Sequence, residues 1–127
     1  MGILISSVEG NHQRLDGGAM FGNAPRSVWS KWFHTDELNR IELACRGMLV
    51  SLGSEHVLCE TGIGCFFEPK LADRFGVMSS DHQLLISLQK LGLSHTDITA
   101  VILSHLHFDH AGGLLPSYQD IARGNDK

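Results

Sequence analysis

Residues 104–113 read SHLHFDHAGG, directly after TAVIL at 99–103. His105, His107, Asp109 and His110 place three histidines and an aspartate within six positions. The run before them, from about Thr99 to Ser104, is apolar and β-rich, and predicts a buried strand that delivers the chain into the cluster. Residues two apart on an extended segment project to the same side, so His105 and His107 can converge on one cation. Beyond them the chain must turn, and Asp109 and His110 then face a neighbouring position. Gly112 and Gly113 let backbone pack close to the site. Imidazole suits zinc, iron and other transition metals, and a carboxylate adds hard character and neutralises charge. These four residues can supply part of each half of a two-metal hydrolytic site, in which a hydroxide is clamped between cations about 3.5–4 Å apart. His12, His34, His56, His82 and His95 are isolated, and each reads as an ordinary surface or core residue.

Working outward, Ile3 to Val8 predicts a strand. The stretch EGNHQRLDGGAMFGNAP, rich in Gly and Asn, predicts a long loop of the kind that often carries function. After it, Pro25 opens a short helix in which Val28, Trp29, Trp32 and Phe33 fall at helical spacing. That aromatic face is read as core, with a wall at a substrate entrance as the alternative. Met48 to Leu52 and His56 to Glu60 predict a hairpin turned by Gly53-Ser54. EPKLADRFG predicts a short helix with Pro69 near its start and Gly76 after its end. SSDHQLLISLQKLGL predicts a longer one, capped by Ser80 or Asp81, with Leu84, Leu85, Leu88 and Leu91 on one face and Gly92 as the stop. The order of elements is that of one α/β unit without a linker.

The 127 residues are enough for one domain with a core. A net charge of −4, with no Lys/Arg-rich run, argues against a nucleic-acid partner. Cys45, Cys59 and Cys65 are odd in number and lack CxxC spacing, which predicts free thiols in a reducing compartment. The start MGILISSVEG lacks the pattern of a signal peptide, and no apolar run approaches the roughly 18 residues of a membrane span. A cytoplasmic protein that does not bind membranes is expected.

The motif SHLHFDHAGG after TAVIL resembles the signature of the metallo-β-lactamase fold hydrolases. LDGGAMFGNAPRSVWSKWF, DELNRIELACRGMLVSLGSEHVLCETGIG and KLADRFGV resemble the opening half of a lactonase-like branch, which includes enzymes that open acyl-homoserine lactones. The resemblance implies an α/β fold, a four-layer αββα sandwich with metals at one edge, of which this chain supplies roughly the first half. It implies that His105 and His107 bind the first metal and Asp109 and His110 the second. The metals are two divalent ions, zinc in the first place, with iron or manganese as alternatives. It implies a metal-bridged hydroxide attacking an ester-like carbonyl, most plausibly of a lactone, with Asp109 as the catalytic residue that orients the nucleophile and passes a proton to the leaving group. Met20 and Phe21 are candidate substrate-wall residues. Where the family often has Asp-Thr-Gly, this chain has Glu60-Thr61-Gly62, and Glu60 is the candidate to support the metal ligands from behind. Tyr118, the lone tyrosine, is read as structural.

The family completes its site with a histidine for the first metal, a bridging aspartate and a histidine for the second, all further along the chain. Asp120 and Asp126 follow the motif here, but no histidine does. The expectation is therefore that residues 1–127 are the N-terminal portion of a single hydrolase domain. The missing ligands would come from a continuation of that domain or from a second chain, as a complementary C-terminal half or a homo-oligomer. A competing reading is a non-catalytic half-domain that acts only by assembly. A nuclease and a glyoxalase-type thioester hydrolase share the motif; the acidic balance disfavours the first, and the GGAMFG loop favours a lactonase-like enzyme over the second.

Overall fold

The computed structural model describes residues 2–125. Asp126 lies outside them.

Chain order gives β1 (Ile3–Glu9), β2 (Gln13–Asp16), α1 (Gly17–Phe21), α2 (Arg26–Trp29), β3 (Arg40–Leu43), β4 (Arg46–Leu52), β5 (Glu55–Cys59), α3 (Pro69–Arg74), α4 (Gln83–Lys90), β6 (Ala100–Ile102), α5 (Phe108–Ala111) and α6 (Tyr118–Ala122). The main sheet runs β1-β4-β5-β6, and β2 pairs with β3 in a separate two-stranded ribbon. Neighbours β1/β4 and β4/β5 are antiparallel, whereas β6 lies parallel to β5 with Leu58 opposite Val101. A parallel neighbour needs a crossover, and the segment carrying α3 and α4 makes it.

One face of the main sheet carries the core. Val8, Leu49 and Leu58 project from β1, β4 and β5 onto Leu84 and Leu88 of α4, with Leu85, Leu93 and Ile98 packed around them. The Ser87 hydroxyl donates to the Glu9 carbonyl at 2.8 Å and ties the helix to the end of β1. The opposite face is also apolar but uncovered among the described residues. Ile5, Val50, Val57 and Ala100 form one cross-strand row and Ser7, Met48, Cys59 and Ile102 another. Ile5 is 62% exposed and Ile102 57%.

Several expectations change here. The anticipated loop at 9–25 contains β2 and α1: Asp16 accepts the Ala19 N–H at 2.9 Å and caps α1, while Arg14 and Leu15 pair with Glu42 and Ile41. The next helix stops at Trp29 rather than Phe33. Its aromatic face splits, with Trp29 at 1% exposure beneath Phe21 and Trp32 at 70%. Neither Ser80 nor Asp81 caps α4. Buried Asn11 does, its Oδ1 accepting the Gln83 N–H at 3.1 Å while its Nδ2 donates to the Ser79 and Asp81 carbonyls. Leu91 follows the helix and is exposed. Finally, β6 is shorter than expected and all three of its residues are exposed at the edge of the sheet. The hairpin, its Gly53-Ser54 turn and α3 stand where the sequence puts them.

Candidate metal centre

The site forms where β5 and β6 end side by side. The Glu60 N–H donates to the Ile102 carbonyl at 2.9 Å, which extends the parallel register by one step. There Glu60 turns to a φ of +66°. This left-handed conformation costs an L-residue about 1–2 kcal/mol, and it ends the strand. The carboxylate then spans two pieces of the motif. Its Oε1 accepts the Ser104 N–H at 2.6 Å, and its Oε2 lies 2.8 Å from His110 Nδ1.

His105 and His107 precede α5, with His107 as its extended N-cap residue (φ −61°, ψ 146°). Asp109 and His110 fall within α5. The change from extended chain to helix folds the cluster on itself. The ring of His105 has its centroid 4.8 Å from that of His107 and 4.1 Å from that of His110. Asp109 Oδ2 lies 3.6 Å from His110 Nε2, and Ser104 Oγ 2.9 Å from His105 Nδ1.

The backbone beneath the motif is locked to the 61–65 segment. Thr61 donates to the His110 carbonyl through both its N–H (2.9 Å) and its hydroxyl (2.8 Å). The Gly113 N–H donates to the Gly62 carbonyl at 3.0 Å, and the Tyr118 N–H to the Cys65 carbonyl at 2.9 Å. A Cβ on Gly113 would collide with the Thr61 carbonyl, so the close approach expected of the Gly-Gly pair is present. Phe108, between the ligand candidates, packs against Phe67 and Phe75 at 5.6 and 4.9 Å between ring centroids.

Desolvation pushes the Glu60 carboxyl up, but hydrogen bonding by Ser104 and His110 outweighs it and holds the group below its ordinary range. Glu60 therefore remains a carboxylate that can accept from the His110 ring. The Cys45 thiol is pushed up, first by burial and also by the negative charge of Asp109. Ser104, Thr61 and Cys45 are neighbours of the site that the sequence reading did not single out. Ser104 stands at the head of the motif itself, whereas Thr61 and Cys45 arrive through tertiary packing.

Met20 and Phe21 lie on α1. Met20 is exposed, and the Phe21 ring stacks on Trp29 at 5.0 Å and packs against Phe33. The aromatic partners of Phe21 are thus within its own excursion rather than the histidine cluster. Tyr118 and Cys65 line a cavity of about 320 Å³ with Phe67 and Val77.

The donor set suits a transition metal in kind: the imidazole of His105 lies against those of His107 and His110, Asp109 is beside His110 Nε2, and the Glu60 carboxylate is on His110 Nδ1. Among the described residues no three His, Cys, Asp or Glu side chains are arranged to hold one ion. In the chemistry of its donors the cluster fits part of a metal centre. The three cysteines are free, and no described helix is long and apolar enough to cross a membrane.

A family model described as the metallo-beta-lactamase superfamily matches residues 42–117. No curated protein sequence matches the chain closely. Among solved structures, a "probable metal-dependent hydrolase from Staphylococcus aureus" is 34% identical with a TM-score of 0.79, over 89% of this chain and 41% of its own. AidC, a dizinc quorum-quenching lactonase in complex with a homoserine product, is 25% identical with a TM-score of 0.65, over 93% of this chain and 37% of its own. A quorum-quenching N-acyl homoserine lactone lactonase at 22% identity and a TM-score of 0.57 shares the fold. The chain spans about two fifths of the length of these structures.

Proposed function

The chain belongs to the metallo-beta-lactamase superfamily, and from that premise we propose that it is the N-terminal portion, residues 1–127, of a metal-dependent hydrolase domain that opens a small ester or lactone. The observation that carries this reading is the packed His105–His107–His110 cluster, with Asp109 beside it and Glu60 behind it. His105 and His107 would hold one divalent cation, and Asp109 and His110 the other. Bound there, zinc, or alternatively iron or manganese, would supply Lewis acidity and the activation of a water.

The chain's own residues do the rest. Glu60 accepts from His110 Nδ1, which fixes the ring and leaves Nε2 free. Asp109 orients the attacking water and hands a proton to the leaving oxygen. Met20 and Phe21 offer apolar surface to the substrate. A lactone is favoured among esters because the 25%-identical structural neighbour is a lactonase with bound product. The bare sheet face and the two-donor half-sites support a domain completed by further structure, either a C-terminal half or a second copy.

Elemental analysis with a lactone and aryl-ester assay tests this on the intact protein. Metal-dependent lactone hydrolysis is the expected result. A folded protein that assembles into oligomers, holds no metal and hydrolyses neither class would support the non-catalytic half-domain instead.

A further inference from the structure

A cavity of about 590 Å³ lies between α4, the parallel pair β5–β6 and the 113–125 segment. None of His105, His107, Asp109 and His110 lines it, so it is a place apart from the candidate metal centre. Its volume is in the range of sites that take small organic molecules. The walls are hydrocarbon: Leu84, Leu85 and Leu88 from α4, Leu58 from β5 and Val101 from β6. Leu58, Leu84 and Leu88 belong to the buried core, whereas Val101 is 39% exposed and marks the open side. One carboxylate, Asp120, lines the cavity, and no described Lys or Arg does. Asp120 is held in place by buried Ser117: its Oδ2 accepts the serine hydroxyl at 2.6 Å, and its N–H donates to Ser117 Oγ at 3.1 Å. Asp120 Oδ1 takes no hydrogen bond among the described residues. His82 also lines the cavity, with Nε2 3.1 Å from the Leu115 carbonyl. A carbonyl only accepts, so Nε2 carries the ring hydrogen, and burial favours the neutral ring. His82 therefore brings no positive charge to answer Asp120.

We propose that this cavity is a binding site for a small alkylammonium ion, with its hydrocarbon tail against α4 and the β5–β6 pair and its ammonium on the Asp120 carboxylate. The chemistry of the walls selects this class. A carboxylate beside an apolar wall is complementary to a cation carried on hydrocarbon, because the ammonium gives it a charge-assisted hydrogen bond while the tail leaves water. A fatty acid of the same length would set its own carboxylate against Asp120. A neutral alcohol would gain the walls but not the charge. The site is separate from the metal-dependent chemistry proposed above and does not rest on it.

The test titrates the intact protein with butylammonium, hexylammonium and octylammonium, and with octanol and octanoate beside them, and reads the methyl NMR signals of Leu58, Leu84, Leu85, Leu88 and Val101. Octylammonium should shift these methyls and bind more tightly than octanol, with octanoate weakest. Each added methylene should tighten binding about threefold to fourfold, as burial of hydrocarbon requires. Asp120→Asn keeps an oxygen for the Ser117 hydroxyl and removes the charge. It should weaken octylammonium by about tenfold and leave octanol as it was. Val101→Trp, at a half-open position away from the core, should fill the mouth and weaken ammonium and alcohol alike. Circular dichroism of both variants confirms the fold. Three results would each overturn the proposal: octylammonium and octanoate of equal affinity, an Asp120→Asn protein with undiminished preference for the cation, or binding that ignores Val101→Trp. If another part of the protein fills the cavity instead, octylammonium shifts none of these methyls, and the proposal fails in that case as well.

Discussion

Asp109 combines two tasks in the proposed chemistry, holding a cation and moving a proton, and it does so from a half-buried place 3.6 Å from the His110 ring. Asp109→Asn keeps the shape and removes both the charge and the proton acceptor. It should lower lactone or ester turnover by more than tenfold (about 1.4 kcal/mol of barrier) with little change in the thermal midpoint. Turnover within tenfold of the parent would remove Asp109 from this role. Two groups, half-buried His82 and buried Cys65, contribute to the pH dependence of stability near neutrality and above it. Burial pulls His82 below its ordinary 6.5, while its ring nitrogen Nε2 meets the Leu115 carbonyl at 3.1 Å. The unfolded chain therefore takes up this proton more readily, and stability is full above pH 6.5 and falls as the pH drops below it. Burial pushes the Cys65 thiol from 9.0 up to about 11, so its contribution is present below pH 9.0 and is lost as pH rises toward 11. A plateau of thermal midpoint between these limits is expected, and His82→Gln should flatten its acid side; an unchanged acid limb would show that other groups control it. At this scale the ligand cluster was legible because its residues are adjacent in sequence. Glu60 was legible only by resemblance, and Thr61 and Cys45 were not given a place at the site, because their contacts depend on which segment lies beside which.

The elements divide in the same way. The β4–β5 hairpin and α3 could be read from local chemistry: two apolar runs around Gly53-Ser54, and a proline that opens a helix. The β2–β3 ribbon could not. QRLD and RIEL are four residues each, too short to show a period, and their pairing spans the whole α1–α2 excursion. The cap of α4 is more distant still, since Asn11 lies 72 residues before Gln83 in the chain. That asparagine satisfies one orphan N–H of the helix and two carbonyls of its approach. Asn11→Ala should therefore cost about 2 kcal/mol, visible as a lower denaturant midpoint with the slope unchanged. A loss below about 0.5 kcal/mol would mean that water replaces the side chain, against its full burial. The β6 strand has the apolar composition of a covered strand yet is exposed.

That uncovered strand belongs to a wider feature of the whole molecule. The sheet has one face filled by α4 and another on which Ile3, Ile5, Met48, Leu52 and Ile102 meet solvent. Contiguous apolar surface of this kind marks an interface. Residues 1–127 without other protein should therefore associate, and Ile5→Lys with Ile102→Lys on the same face should make them more monodisperse in size-exclusion chromatography while leaving secondary structure intact. A monomeric parent would contradict this. Because each cation would find at most two donors in the proposed assignment, where catalytic zinc sites usually have three, the same piece should not hydrolyse lactones or esters at a useful rate even with added metal. The central claim, that this chain carries the metal-binding half of a hydrolase, is tested most directly by elemental analysis of the intact, folded protein beside its His105→Ala/His107→Ala double variant. The account predicts divalent metal in the parent and the loss of at least one ion per complete site in the variant. An identical metal content in the two folded proteins would contradict it.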